Sequence, residues 1–129
     1  MIGKWYYGTG KKKTSISRVF LSVGSCNIFI NGKRILCYFN NYYLLNILCF
    51  PFYVVNNFNF DVFCYVKGGG LSSKTYSLIY AISKALLEFC REYKLILRKN
   101  NLLSIDSRFV ERKKIGYVKS RKRRQFSKR

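Results

Sequence analysis

The sequence predicts an α+β domain in which helices pack on one face of a single β-sheet. Three observations lead to this class: stretches of two-residue alternation typical of strands, one long stretch with helical spacing, and the order β-β-β-α-β-α-α along the chain. The chain has 129 residues, of which 49% are hydrophobic and 18% aromatic, so it can bury one core of ordinary size.

The strands are predicted from alternation. "WYYGTG", residues 5–10, is compatible with a short strand, and residues 18–23 follow with Val19, Leu21 and Val23 on the buried side. "CNIFINGKR" predicts a further strand that ends in an Asn31-Gly32 turn. Residues 60–67 alternate in the same way and lead into three glycines.

Three helices are expected. "YYLLNIL" predicts a short helix over the sheet, which Pro51 should end. A long helix should run from about Ser72 to Tyr93, with Glu88 and Arg91 within pairing distance on its exposed face. "LILRKNNLL" predicts a second short helix ended by its asparagines. The buried face of the long helix should comprise Leu78, Ile82, Ala85, Leu86 and Phe89.

The composition changes near residue 105, which predicts a globular part over 1–104 and a basic arm over 105–129. The arm holds eleven Lys or Arg against Asp106 and Glu111, with little apolar periodicity. Such segments usually stay disordered until they meet a partner. Fully extended, residues 111–129 would reach roughly 60 Å.

The net charge of +20 calls for a polyanionic partner, with nucleic acid as the first candidate and an anionic membrane surface as the second. The closing "SRKRRQFSKR" has Phe126 as its single apolar side chain, whereas a membrane-bound basic helix needs an apolar face. Residues 42–55 form an apolar segment of about 14 residues, short of the roughly 20 that span a bilayer. We therefore expect no membrane partner.

Enzyme chemistry and a metal site are not expected. The chain has no histidine, and its five acidic residues are scattered. "GTGKKKTS" differs from a phosphate-binding loop at Trp5, where a glycine is required, and at Lys12, where Ser or Thr is required. The sequence therefore predicts no cofactor and no small-molecule substrate. The five cysteines form no CxxC pair and are interpreted as small buried residues in a reducing compartment.

Two motifs besides the arm could bind phosphate. "GTGKKKTSISRVFL" reads as an RNA-docking surface in which Gly8 and Gly10 permit a tight backbone, although a solvated lysine turn is an alternative. "VKGGGLSS" offers backbone N–H groups at a helix start, although it could be a plain glycine-rich turn. In combination with the arm, they favour a large folded nucleic acid that is touched at several points.

These stretches, together with "ISKALLEF" and "LRKNNLLSIDSRFVERKKIG", resemble the family of ribosomal small-subunit protein nine, of bacterial type, in order over nearly the whole chain. The resemblance implies a four-stranded sheet with helices on one face, like the second domain of ribosomal protein five. It also implies a structural role in the head of the small subunit, among neighbouring head proteins. The C-terminal tip would pass through the ribosomal RNA (rRNA) to the peptidyl-site tRNA.

The resemblance also assigns residues. The implied rRNA-binding positions are Lys11, Lys12, Lys13, Arg18, Lys67, Gly68, Gly69, Gly70, Lys74, Arg108, Arg112, Lys113, Lys114, Arg121, Lys122, Arg123 and Arg124. The implied tRNA-binding positions are Ser127, Lys128 and Arg129. The resemblance weakens after Gly70, where the family's Ser-Gly-Gln is replaced and Lys74 could substitute for part of the contact, and over residues 37–59, which lack the family's usual charges.

The source is inferred from composition. Phe, Tyr, Ile, Asn and Lys, whose codons are rich in A and T, make up 58 of the 129 residues. With a bacterial-type sequence and no visible presequence, this predicts a ribosome in a plastid, with the bacterial cytoplasm as the alternative. The competing function is a free RNA-binding chaperone that uses the arm as a clamp, and a membrane-active protein, which the composition of the arm disfavours, is the third.

Overall fold

The computed structural model describes residues 4–128 and confirms the α+β class. Its elements, in chain order, are β1 (Tyr6–Lys12), β2 (Ser15–Val23), β3 (Ile28–Ile30), β4 (Lys33–Arg34), α1 (Ile35–Tyr38), α2 (Tyr42–Val55), β5 (Phe60–Lys67), α3 (Leu71–Phe89) and α4 (Tyr93–Lys99). The sheet has the order β1-β2-β5-β3-β4 and is antiparallel except for the β3–β5 pair. It therefore has five strands in place of four, and the additional strand, β4, is only two residues long.

Alternation in the strands separates a covered face of the sheet from an open one. In β5 the side chains of Phe60, Val62, Cys64 and Val66 are buried, as the sequence predicted. In β2, Val19 and Leu21 are fully buried, whereas Val23 lies at the strand end and is exposed. The Asn31-Gly32 turn is confirmed, because both residues have positive φ, as a tight two-residue hairpin requires.

Helix α3 covers the inner face of the sheet at unusually short range. A Cβ atom on Gly8 would lie 2.0 Å from the carbonyl oxygen of Ala81, and one on Gly10 would lie 1.9 Å from that of Ser77. The side chains of Ser15 and Ser77 meet at the same interface, where their hydroxyls hydrogen-bond at 3.0 Å. The two glycines thus serve helix packing, and the prediction of a tight backbone at these positions is wrong, because both lie in the regular strand β1.

Helix α2 continues beyond Pro51, which the sequence predicted would end it. Asn41 caps its start by accepting a hydrogen bond from the Tyr43 N–H at 2.9 Å, and Asn56 ends it with a left-handed backbone. Pro51 removes one helical hydrogen bond, but it is buried together with Phe52 against the core. Burial of the last turn offsets the missing bond.

Helix α3 ends at Phe89, four residues before the predicted end, because Cys90 adopts an extended backbone. The predicted buried face is confirmed at Leu78, Ile82 and Leu86, all of which are fully buried. The predicted pairing of Glu88 with Arg91 is wrong. Arg91 lies beyond the helix, and the Glu88 carboxylate accepts a hydrogen bond from the Tyr7 N–H at 2.5 Å.

Helix α4 ends at Lys99, followed by Asn100 and a left-handed Asn101, as predicted. Beyond it, residues 105–128 contain neither a helix nor a strand longer than an isolated bridge, and most of their side chains are exposed. None of the helices within residues 4–128 has the length and apolarity needed to cross a membrane.

The cysteines only partly match their predicted burial. Cys64 is buried in β5, where burial raises the pKa of its thiol to about 12. Cys49 and Cys90 are half-buried, whereas Cys26 and Cys37 are exposed. Alternation along β5 buries Cys64, whereas Cys26 lies in the turn before β3 and Cys37 in the short helix α1, where no such pattern applies.

Candidate RNA interface

Three separate basic or anion-seeking segments meet at one end of the sheet. The first is the β1–β2 turn, where Lys11 and Lys13 are exposed and Lys13 has a positive φ of 52°. Beside it, on β2, Arg18 is exposed on the open face. This turn places ammonium groups where a phosphate backbone could approach from solvent.

The glycine motif Gly68–Gly70 packs against the same turn. Gly68 and Gly69 have positive φ values, and a Cβ atom on Gly68 would lie 2.5 Å from the carbonyl oxygen of Thr14. Gly70 is the N-cap residue of α3 and has no side chain to cap the helix. Backbone N–H groups in the first turn of α3 therefore receive no side-chain cap, and they lie close to the lysine turn at the positive end of the helix dipole.

The root of the arm is attached to this end of the molecule through Asp106. Lys12 and Asp106 form an isolated bridge, and the Lys12 ammonium pairs with the Asp106 carboxylate. Arg108 donates two side-chain hydrogen bonds to the same carboxylate, both at 3.0 Å. The hydrogen bonds from Arg108 and then Lys12 hold the pKa of Asp106 well below its usual range.

Farther along the arm, a compact loop forms around its other acidic residue. Arg121 donates to both oxygens of Glu111, at 2.9 and 2.5 Å, and this contact lowers the pKa of the Glu111 carboxyl. Gly116 turns the chain with a φ of 82°, and the Arg123 guanidinium lies 5.9 Å from the centre of the Tyr117 ring. The loop brings together arginines that the sequence predicted to bind RNA.

The positions predicted as RNA-binding differ in their surroundings. Lys67, Arg112, Lys113, Lys114, Lys122 and Arg124 are exposed. Lys12 is half-buried in its ion pair, and the Lys74 ammonium lies 5.8 Å from the centre of the Tyr38 ring. Ser127 and Lys128 are exposed at the end of the described chain, and Arg129 lies outside the described residues.

Sequence reasoning missed Lys33 and Arg34, which form β4 and are exposed at the sheet edge. It also missed the exposed aromatic side chains on the open face of the sheet, including Tyr7, Phe63 and Tyr65. The alternation that buries Val62 and Cys64 already assigns Phe63 and Tyr65 to the opposite face. The same alternation in the sequence therefore indicates both the core and this exposed aromatic surface.

Comparisons with known proteins identify the family of the chain. The family described as ribosomal protein S9/S16 matches residues 10–129, which is nearly the whole chain. The chain belongs to the ribosomal protein S9/S16 family. The resemblance to ribosomal small-subunit protein nine is thereby confirmed, and the chain is a structural ribosomal protein and not an enzyme.

Several relatives named small ribosomal subunit protein uS9 come from Rickettsia species. That of Rickettsia rickettsii (strain Sheila Smith) is 43% identical over 129 residues, covering 99% of this chain and 80% of the relative. Those of Rickettsia massiliae (strain Mtu5) and Rickettsia felis (strain ATCC VR-1525 / URRWXCal2) are each 44% identical over 125 residues, covering 96% of this chain and 79% and 78% of the relatives. These sources are bacteria, which fits the bacterial alternative, and the plastid origin stays a prediction.

Proposed function

We propose that this protein binds rRNA in the head of the small subunit through the lysine turn, the glycine motif and the arm, and that its C-terminal tip contacts the peptidyl-site tRNA. The coarser part follows from family membership: the chain is a structural constituent of the small ribosomal subunit and works in translation. Its partners are therefore rRNA and other ribosomal proteins.

The observation that carries the rRNA proposal is the convergence of three sequence-distant segments at one end of the sheet. Gly68 approaches Thr14 in the lysine turn, and Lys12 pairs with Asp106 at the arm's root. One RNA element can therefore contact all three segments at once. Because each phosphate contact releases counterions, several contacts together give tight binding that weakens with salt.

We assign residues 1–104 to the rRNA-binding body and residues 105–129 to the arm. Within the described arm, both acidic residues, Asp106 and Glu111, are paired with arginines of the arm itself. Its remaining cations are therefore left for phosphates. Phe126, which is 97% exposed, offers a ring that can stack on a base near the tip.

The rRNA-binding part is tested by replacing Lys11 and Lys13 with alanine. Affinity for a small-subunit rRNA transcript should fall, and the slope of log affinity against log salt should decrease by about 0.7–0.9 for each phosphate that is no longer neutralised. The control replaces Lys94 and Lys99 of α4, which removes the same charge from another element. If both variants lose affinity equally, the binding is due to net charge and the lysine turn is not a site.

The tRNA-binding part is tested by removing Ser127–Arg129. Incorporation into small subunits should be unchanged, because the other phosphate contacts far outnumber those of the tip. Peptidyl-site tRNA affinity should weaken by roughly 1–3 kcal/mol at fixed magnesium and salt, as expected for charge-assisted contacts. All tRNAs should be affected alike, since phosphate contacts carry little sequence information. Unchanged affinity in normally assembled subunits would refute the role of the tip.

A free RNA chaperone would behave differently in the same preparations. A ribosomal constituent stays with the small subunit through a salt wash and sediments with it, whereas a chaperone moves to the top of the gradient. If the protein is found at the top after the wash, the structural role fails. The location of that ribosome, in a plastid or in a bacterial cytoplasm, is decided by the genome that encodes the chain.

A further inference from the structure

The face of the sheet turned away from α3 carries a continuous group of aromatic side chains, named here the aromatic sheet face. Its members are Trp5, Tyr7, Phe20, Phe29, Phe63 and Tyr65. Helix α3 covers the opposite face, where Gly8 and Gly10 meet it, and these six side chains are half-buried or exposed. Large contiguous aromatic surfaces are uncommon on a protein without a partner at that place.

Strand register arranges four of these rings in one row across the sheet. Tyr7 of β1 lies opposite Phe20 of β2, and Phe20 lies opposite Phe63 of β5. Phe63 in turn neighbours Phe29 of β3, which pairs with Arg34 of β4. Each of the five strands thus contributes one side chain to a row that is aromatic over four strands and ends in a guanidinium.

The rings support one another and still remain accessible. Phe29 and Phe63 are stacked, with centroids 5.3 Å apart and planes 14° apart, and Trp5 meets Phe63 edge-on at 5.5 Å. Tyr7 and Tyr65 keep 43% and 58% of their surface exposed. Packed rings of fixed orientation lose little entropy on binding, so they form a suitable stacking surface.

Cations lie next to the aromatic row in regular steps. Arg18 lies on β2 two residues from Phe20, which is about 7 Å from the aromatic row, and it pairs with Tyr65 of β5. After two more residues, at about 14 Å, Ile16 is flanked by Lys11 on β1 and Lys67 on β5. Arg18, Tyr65 and Lys67 also line a groove of about 730 Å³ that opens on this face.

The acidic residue that strand alternation directs to this face is already bonded. Asp61 lies at the far end of β5, and its carboxylate accepts hydrogen bonds from the N–H groups of Ser25 and Asn27, both at 3.0 Å. The face is therefore aromatic and positive with no free carboxylate among its described strand positions. This combination complements unpaired nucleotides, which present flat bases and a row of phosphates.

We propose that the aromatic sheet face binds unpaired nucleotides of rRNA, whose bases stack on Tyr7, Phe63 and Tyr65 while Arg18 and Lys67 contact their phosphates. This proposal rests on the proposed function, because it takes the bound RNA to be small-subunit rRNA. It adds base stacking on the sheet to the phosphate contacts of the lysine turn and the arm. A neighbouring ribosomal protein is the competing occupant, and the lack of free acidic partners together with the bordering cations favours RNA.

The test is a triple variant in which Tyr7, Phe63 and Tyr65 are each changed to threonine. Threonine retains strand propensity but removes the rings. The matched control replaces Tyr42, Tyr43 and Tyr53 with alanine, because these exposed tyrosines lie on α2. Circular dichroism and thermal unfolding establish that both variants are folded. Relative to wild type, the threonine variant should bind the rRNA transcript at least about 10-fold more weakly, with an unchanged slope of log affinity against log salt. The control should bind within about 2-fold of wild type.

Trp5, the single tryptophan of the chain, supplies a second measurement because its ring contacts Phe63. A 12-nucleotide oligouridylate should quench its fluorescence, and an abasic oligomer with the same phosphates should do so much less. Equal quenching by the two oligomers would overturn base stacking. A threonine variant that binds the transcript as tightly as the control would overturn it as well.

The outcomes also separate this proposal from the one on which it rests. Wild-type protein that fails to bind the transcript would overturn both. Wild-type binding that the threonine substitutions leave unchanged would overturn the stacking proposal alone. If the threonine variant binds naked transcript normally but is lost from subunits reconstituted with the full protein set, the face binds a neighbouring protein instead of RNA.

Discussion

The Gly10→Ala substitution should separate the sheet from helix α3. The new methyl carbon would lie 1.9 Å from the carbonyl oxygen of Ser77 and 2.7 Å from the backbone nitrogen of Ala81. Both are backbone atoms of a helix, so no side chain can rotate away. A contact of even 3.0 Å requires α3 to retreat by about 1.1 Å.

The expected loss of stability follows from what α3 buries. Leu78, Ile82 and Leu86 are fully buried on its inner face. A gap of 0.5–1 Å forfeits about a quarter to a half of each dispersion contact, and a buried leucine makes roughly 40–60 contacts of about 0.1–0.2 kcal/mol. Small shifts of α3 and of neighbouring side chains restore part of these lost dispersion contacts. We expect a loss of at least about 3 kcal/mol, at or beyond the upper end of ordinary overpacking.

The assay is urea unfolding of the full-length protein, followed by circular dichroism and by the fluorescence of Trp5. Gly70→Ala is the matched control, because a Cβ atom there meets nothing within 4 Å and the φ of −85° suits alanine. The weaker N-cap and the reduced freedom of the unfolded chain nearly cancel, so its change should stay within about 0.5 kcal/mol. A loss below about 1 kcal/mol for Gly10→Ala would refute the close approach of α3 to β1.

Three further predictions concern the core, the arm's root and the thiols. Leu86→Ala should lower the free energy of unfolding by about 2–5 kcal/mol in urea, whereas Leu95→Ala, which is 79% exposed, should change it little; similar losses would contradict the helix phase. Because the folded-state pKa of Asp106 is lowered, its contribution is present above its unfolded pKa of about 3.9 and is lost as the pH falls through the lowered value. The difference in unfolding free energy between wild type and Asp106→Asn should therefore be constant near neutral pH and shrink below about pH 4, and a difference that persists in acid would exclude this ion pair as its cause. Maleimide at pH 7 should label Cys37 rapidly and Cys64 only on unfolding, as read by mass spectrometry, since Cys64 is buried and its pKa is raised to about 12; rapid labelling of Cys64 would contradict its burial.

Local patterns in the sequence determined the class of the fold and most of its elements. Alternation located β2 and β5 and the buried side of each, because side chains in a strand point to opposite faces in turn. The Asn31-Gly32 pair predicted its turn, since those residues tolerate positive φ. Family membership was also readable from the sequence, because its motifs extend over nearly the whole chain.

Element ends were decided by packing. Helix α2 passes Pro51 because burial of its last turn offsets one missing hydrogen bond, and propensity alone cannot weigh the two. Helix α3 ends at Phe89, after which the chain turns so that the rings of Phe89 and Tyr93 stack, with planes 27° apart and centroids 6.5 Å apart. The sequence predicted that Gly8 and Gly10 form a tight backbone, whereas in the structure they allow α3 to pack closely on β1. A glycine in a sequence does not indicate which neighbouring element will pack against it.

The candidate RNA interface was also predictable from the sequence only in part. The charges of the lysine turn and the arm were visible in the sequence, but the contacts of Gly68 with Thr14 and of Lys12 with Asp106 join segments more than fifty residues apart. The row formed by Tyr7, Phe20, Phe63 and Phe29 depends on the register of four strands, one of them parallel to its neighbour. Register is a property of pairing between distant segments, so a sequence read one segment at a time shows exposed aromatics, and only the folded sheet makes them one surface.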